Sequence, residues 1–196
     1  MRRILVACAL VIAAAQVSAT QVYCKEVSTT KNYMAMSDAY AASCMDAGPG
    51  NISGNSTGAN PDPFMTGVGS GFNLISKTDS SNPFVITYTT SVKSKTETTG
   101  TWSIDSDFWN HYEDAALGFK FGTGNKPDEW FVFELVGGVS SGTWDFFNVF
   151  EKGGGLSHVN LYASKIKTVL PEPNSALLML IGALMLVAAR RQSRRA

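Results

Sequence analysis

From residue 84 onward, apolar side chains fall mostly at every second position. Phe84, Ile86, Tyr88, Thr90 and Val92 alternate with Val85, Thr87, Thr89 and Ser91, the period of a strand with one buried face. Trp102 and Ile104 repeat the pattern, as do Leu117, Phe119 and Phe121, then Trp144 and Phe146, then Val159, Leu161 and Ala163. Residues 130–136 are apolar on both faces apart from Glu134, which predicts a central strand. Adding a strand over 72–75 and a short edge strand over 20–27 gives about seven or eight strands separated by Gly, Pro, Asn and Asp turns. No long helical pattern separates them, so the expected fold is all-β, an antiparallel β-sandwich or jelly roll.

Two stretches depart from the period of two. Met36, Ala39, Tyr40 and Cys44 lie at helical intervals with Ser37 as a cap, predicting a short N-terminal helix within 34–45. Residues 48–62 hold four Gly, two Pro and three Asn, predicting a mobile loop. Two segments echo each other, Thr99-Gly100-Thr101-Trp102-Ser103 and Ser141-Gly142-Thr143-Trp144-Asp145. Either a duplication or two similar strand entries of one sandwich accounts for them.

The two ends read as address labels. Arg2-Arg3, an apolar core over 4–15 and the small residues Val17-Ser18-Ala19 form a secretory signal peptide cut after Ala19. At the other end, Leu170-Pro171-Glu172-Pro173-Asn174 precedes an uncharged apolar run over 176–189, and then Arg190, Arg191, Arg194 and Arg195. The prolines hold their segment extended, the run can enter a bilayer as a transmembrane helix, and the arginines stop it on the cytoplasmic side. As a helix that run spans only ~21 Å at ~1.5 Å per residue, short of a ~30 Å hydrocarbon core, which suits a temporary anchor extended by snorkelling side chains. The three parts are therefore a signal peptide over 1–19, an exported domain over 20–168, and a sorting segment over 169–196.

Charge follows the same division. All six arginines lie in the terminal labels, while residues 20–170 carry ten lysines against fifteen acids, 10 − 15 = −5. A mildly acidic body lacks the basic patch that nucleic acid requires. Outside the signal peptide two cysteines remain, Cys24 and Cys44; an even number in an oxidising compartment suggests a disulfide, with two free buried thiols as the alternative.

Proline-glutamate-proline, an apolar segment and an arginine tail together resemble the PEP-CTERM sorting signal of Gram-negative bacteria, although Leu170 stands where members of that family usually have Val. Gly-Thr-Trp followed by Leu156-Ser157-His158 ahead of the tail is also similar to that family's exported domains. The resemblance implies processing by signal peptidase and an exosortase, transient residence in the inner membrane, and a final place on the outer surface or outside the cell. It also implies a role in exopolysaccharide or biofilm. A plain C-terminal anchor is the alternative.

Candidate chemistry is sparse. His111 and His158 with two cysteines make no zinc-like spacing, and no cofactor motif is present; His158 reads as a strand-entry turn residue. A glycan-cleaving pair of carboxylates would have to come from Glu134, Asp105 or Asp107, and the preferred reading is non-enzymatic. Asp105-Ser106-Asp107 could also contribute to a calcium site, a question left open. The second functional reading is a carbohydrate-binding module. Trp102, Trp130 and Trp144 belong to strand patterns and to the core, whereas Trp109 and Tyr112 lie in a loop and are the expected exposed pair for sugar rings.

Overall fold

Alternating side chains become two facing antiparallel sheets. The structure, a computed structural model, describes residues 19–25, 27, 30–78, 83–122, 128–151 and 155–166. In chain order the elements are β1 (Gln21–Cys24), β2 (Tyr33–Ser37), β3 (Ala41–Pro49), α1 (Pro63–Thr66), β4 (Asn73–Lys77), β5 (Ile86–Tyr88) and β6 (Ser91–Ser94). They continue as β7 (Glu97–Ile104), α2 (Phe108–His111), β8 (Ala115–Gly122), β9 (Glu129–Leu135), β10 (Ser141–Phe147) and β11 (Gly155–Ala163). One sheet has the order β1-β2-β10-β7-β5 with β6 also on β7; the other runs β3-β9-β8-β11-β4. All strand pairs are antiparallel. The all-β sandwich is as expected, and β9 is indeed an interior strand, paired on both sides.

The core lies between the sheets. Met34 and Met36 from β2, Trp102 from β7, Trp144 and Phe146 from β10, and Phe119, Phe121, Phe131 and Phe133 from the opposite sheet are all essentially inaccessible. Rings interdigitate there: Phe121 stacks on Phe146 at 4.0 Å and meets Trp144 edge-on at 5.6 Å. The two Gly-Thr-Trp segments explain each other. They lie on adjacent strands in a register that sets Trp144 opposite Gly100, Thr143 opposite Thr101 and Gly142 opposite Trp102. Each glycine vacates the space that the other segment's indole occupies, so the echo is a reciprocal packing motif.

Three expectations change. The predicted N-terminal helix over 34–45 is two strands, β2 and β3, joined by a turn at residues 38–40. Helical spacing lost to pairing: β2 fills the gap between β1 and β10, and β3 covers the otherwise open edge of β9. The single strand expected over 84–92 is two, β5 and β6, because Thr89 Oγ1 replaces a ladder acceptor, taking the Thr101 amide at 3.1 Å. The loop over 48–62 is irregular beyond β3 but not free, since Ile52 and Asp62 within it are fully buried.

That loop and α1 cover the outer face of the five-stranded sheet and build a second core of Ile52, Phe64, Met65, Ala116, Trp130, Val132 and Tyr162. This explains why β8, β9 and β11 bury residues on both faces. Cys24 and Cys44 form the disulfide, with Cα atoms 5.1 Å apart, linking β1 of one sheet to β3 of the other at the sandwich edge. A Cys24→Ala/Cys44→Ala protein should lose ~3 kcal/mol of stability, from the freedom its denatured chain regains. Urea unfolding of the double variant beside the oxidised protein measures this.

Candidate functional site

The residues expected to meet sugar do not form an exposed pair. Trp109 lies on α2 and is 8% exposed, its indole Nε1–H donating to the Val139 carbonyl at 3.0 Å. Tyr112 is half-buried and stacks on Phe108 at 4.9 Å, with Phe84 edge-on at 6.0 Å. The single turn of α2 drives Phe108 and Trp109 into the end of the core, and Tyr112 closes over them. A loop position concealed a plug.

The candidate carboxylates are occupied locally. Asp105 Oδ1 accepts the Asp107 amide at 2.9 Å, and the Asp107 carboxylate takes Asn110 Nδ2 at 2.8 Å and lies 3.1 Å from His111 Nε2. Those hydrogen bonds, Asn110 first, hold Asp107 below the ordinary carboxylate range. Glu134 projects from β9 onto the outer face, where Oε2 accepts the Ser43 hydroxyl at 3.0 Å. Among the described residues, no group of three or more His, Cys, Asp or Glu side chains could hold a metal ion.

His158 is not in a turn but inside β11 and 6% exposed, its Nε2 3.0 Å from the Ile52 carbonyl. It belongs to a polar cluster under the loop. Asn160 Nδ2 donates to the same carbonyl at 3.0 Å and to the Tyr162 hydroxyl at 2.8 Å, and Tyr162 in turn donates to Asp62 Oδ2 at 2.8 Å. Burial, reinforced by the Asp62 charge, pushes the Tyr162 phenol far above its usual range, so it remains a donor. Every member is buried, and the cluster's evident work is to fasten residues 50–65 to the sheet.

An accessible array of functional groups lies on the outer face of the six-stranded sheet. Because successive side chains alternate, burying Trp102, Ile104, Trp144 and Phe146 turns Thr101, Ser103, Thr143 and Ser141 outward. Strand register aligns them into rows: Ser141 is opposite Ser103, which is opposite Thr87, and Thr143 is opposite Thr101. Thr89 extends the second row through a 2.8 Å hydroxyl contact with Thr101, and Thr87 meets Ser103 at 2.6 Å.

Comparison with known protein families, curated proteins and solved structures gives no match to this chain.

An aromatic corner borders the rows. Tyr33 and Phe147, cross-strand partners on β2 and β10, stack at 4.5 Å and 13°. Tyr23 on edge strand β1 tilts against Tyr33 at 6.2 Å and is 44% exposed. Burial, with Tyr23 and Glu97 adding to it, raises the Tyr33 phenol, which stays neutral. Between corner and rows, Lys93 Nζ is 2.8 Å from Glu97 and 3.1 Å from Asp145. The array was present in the sequence as the polar half of each alternating run, at Thr99, Thr101 and Ser103 and at Ser141 and Thr143. Reading the apolar half for the core left it unremarked.

The processing sites fall differently. Pro171, Glu172, Pro173, Arg190, Arg191, Arg194, Arg195 and the expected transmembrane run lie outside the described residues, as does the signal peptide up to residue 18. Among the described residues no helix is long and apolar enough to cross a membrane. Ala19 and Thr20 are exposed at the start of β1. The Thr20 amide donates to Asp38 Oδ1 at 3.0 Å, and the Thr20 carbonyl accepts the Asp38 amide at 2.8 Å. Cleavage after Ala19 would turn the first of these contacts into an ammonium–carboxylate pair.

Proposed function

We propose that this chain is an exported, non-enzymatic protein of the cell surface or extracellular matrix. On this reading it is delivered through the inner membrane, sorted by an exosortase and associated with exopolysaccharide. The observation that carries the proposal is the tail: Pro171-Glu172-Pro173, an uncharged apolar run and four arginines, following a body that has no arginine. Two features support it. The Cys24–Cys44 disulfide suits an oxidising compartment, and Thr20 sits where a new amino terminus gains a carboxylate partner in Asp38. Signal peptidase and the exosortase are the processing partners, and the membrane is a way-station.

Expression in a host carrying an exosortase, followed by mass spectrometry of both ends, tests the proposal. The mature protein should begin at Thr20, lack the arginine tail, and be recovered mainly outside the inner membrane. Glu172→Ala should leave most of the protein full length at its carboxyl end and retained in the membrane fraction. Recovery of wild-type protein with its carboxyl end intact and seated in the bilayer would instead mark a permanent anchor.

A further inference from the structure

From the outer face of the six-stranded sheet we infer a binding platform for a neutral polysaccharide segment, with the two hydroxyl rows as its polar floor and Tyr23, Tyr33 and Phe147 as its stacking end. The inference deepens the exopolysaccharide part of the proposed function by naming the ligand class and the surface.

Three observations select that ligand. The first is charge. Within the described strands of this sheet, the formal charges turned outward are Lys93, Glu97 and Asp145, and the Lys93 ammonium lies within 3.1 Å of both carboxylates. A phosphate, sulfate or uronate would meet one surplus acid on these strands, whereas an uncharged ligand meets no such penalty. The second is hydrogen-bond character. Each hydroxyl supplies one donor and two acceptor sites, so the Thr87–Ser103 and Thr89–Thr101 pairs spend one donor each and retain both kinds of capacity. A ligand matched to such a floor must itself donate and accept, as polyol hydroxyls do and anionic oxygens do not. The third is the aromatic corner. Ring faces carry negative charge density and attract polarised C–H groups, which the apolar side of a pyranose presents.

Dimensions favour a polymer over a monosaccharide. Phe147 and Thr143 stand four residues apart on β10, so corner and floor are separated by ~13 Å at ~3.3 Å per residue. A second copy of the chain is the weaker occupant. Among the described residues of this sheet the exposed large apolar side chains, Tyr23 of β1, Val92 of β6 and Val85 just ahead of β5, are scattered along its edges, and the rows between them are hydroxyl-lined, unlike the apolar centre of a stable dimer interface.

The test is affinity electrophoresis of the full chain, held in a polyoxyethylene detergent so that no sugar headgroup competes. Gels contain hydroxyethylcellulose, dextran, galactomannan or, as the acidic comparator, alginate. Retardation by at least one neutral polymer and not by alginate is expected. Two variants, Tyr23→Ser and Thr101→Lys/Thr143→Lys, should each weaken retardation at least about tenfold in apparent Kd, the effect of losing a central contact. Val68→Lys, on the loop covering the other sheet and 63% exposed, should bind as wild type, and thermal melts confirm that each variant is folded. If the lysine pair fails to fold, Tyr23→Ser alone decides. Absence of retardation in all three neutral gels, stronger retardation by alginate, or binding that survives the substitutions overturns the inference. Binding is read on purified protein and tail processing in cells, so either can fail alone.

Discussion

Replacing Gly100 by alanine should cost this protein ~3 kcal/mol or more, in the range of severe core overpacking. Against a typical domain stability of ~5–15 kcal/mol, that is roughly a fifth to three fifths of the total. A Cβ at position 100 would overlap the Thr89 carbonyl oxygen and lie 2.5 Å from Trp144 Cζ2. Neither neighbour can retreat easily. Thr89 is tied to Thr101 by its own amide at 3.0 Å and by its hydroxyl, which accepts the Thr101 amide at 3.1 Å. Trp144 is fully buried, packed between Phe119 and Phe121, and donates its indole N–H to the Thr101 carbonyl at 3.3 Å. Gly71→Ala is the matched control, because nothing lies within 4 Å of its added methyl group; its change should stay within ~0.5 kcal/mol. Urea midpoints of the two variants beside wild type decide the matter, and equal midpoints would mean that Gly100 is not the packing contact described.

Asp62→Ala should be comparably damaging, at ~3–5 kcal/mol, the usual consequence of removing one partner from a buried charged network. The Asp62 carboxylate is fully buried and accepts four hydrogen bonds: Gly54 N at 2.7 Å, Phe64 N at 2.9 Å, Met65 N at 3.3 Å and Tyr162 Oη at 2.8 Å. Alanine orphans all four donors and also removes the N-cap of α1. Tyr162→Phe, which withdraws a single donor and leaves the three amides in place, should cost only ~1–3 kcal/mol. Limited proteolysis adds a local readout. In Asp62→Ala the segment from 50 to 62 should become a preferred cleavage site, while Tyr162→Phe should remain largely protected there. Equal resistance of the alanine variant and wild type would show that the loop is held by its apolar contacts alone.

Both predictions rest on features that a one-dimensional reading could list but not connect. Gly100 and Trp144 are 44 positions apart, and only the register of β7 against β10 sets them face to face. Asp62 lies 100 residues from Tyr162, in a stretch whose Gly, Pro and Asn content suggested mobility. Composition reported correctly that no regular element forms between β3 and α1. It carried no information about the buried acceptor that holds the segment down. The same error occurred at Trp109, where a loop location suggested exposure although the adjacent Phe108 and Trp109 had an open end of the core to fill.

What the amino-acid order determined by itself was the class of structure and the inward set of β7, β8, β10 and β11, because a period of two admits one buried face and the turn residues cut the chain into strand-length pieces. It also placed the cysteine pair that the structure joins. Partner choice was decided only in three dimensions. Cross-strand register turned two unremarkable threonine-rich runs into aligned hydroxyl rows, made neighbours of Lys93, Glu97 and Asp145, and assigned residues 34–45 to two different sheets. Those outcomes depend on contacts between segments far apart in the chain, where pairing and burial are settled by the whole assembly and local spacing has no vote.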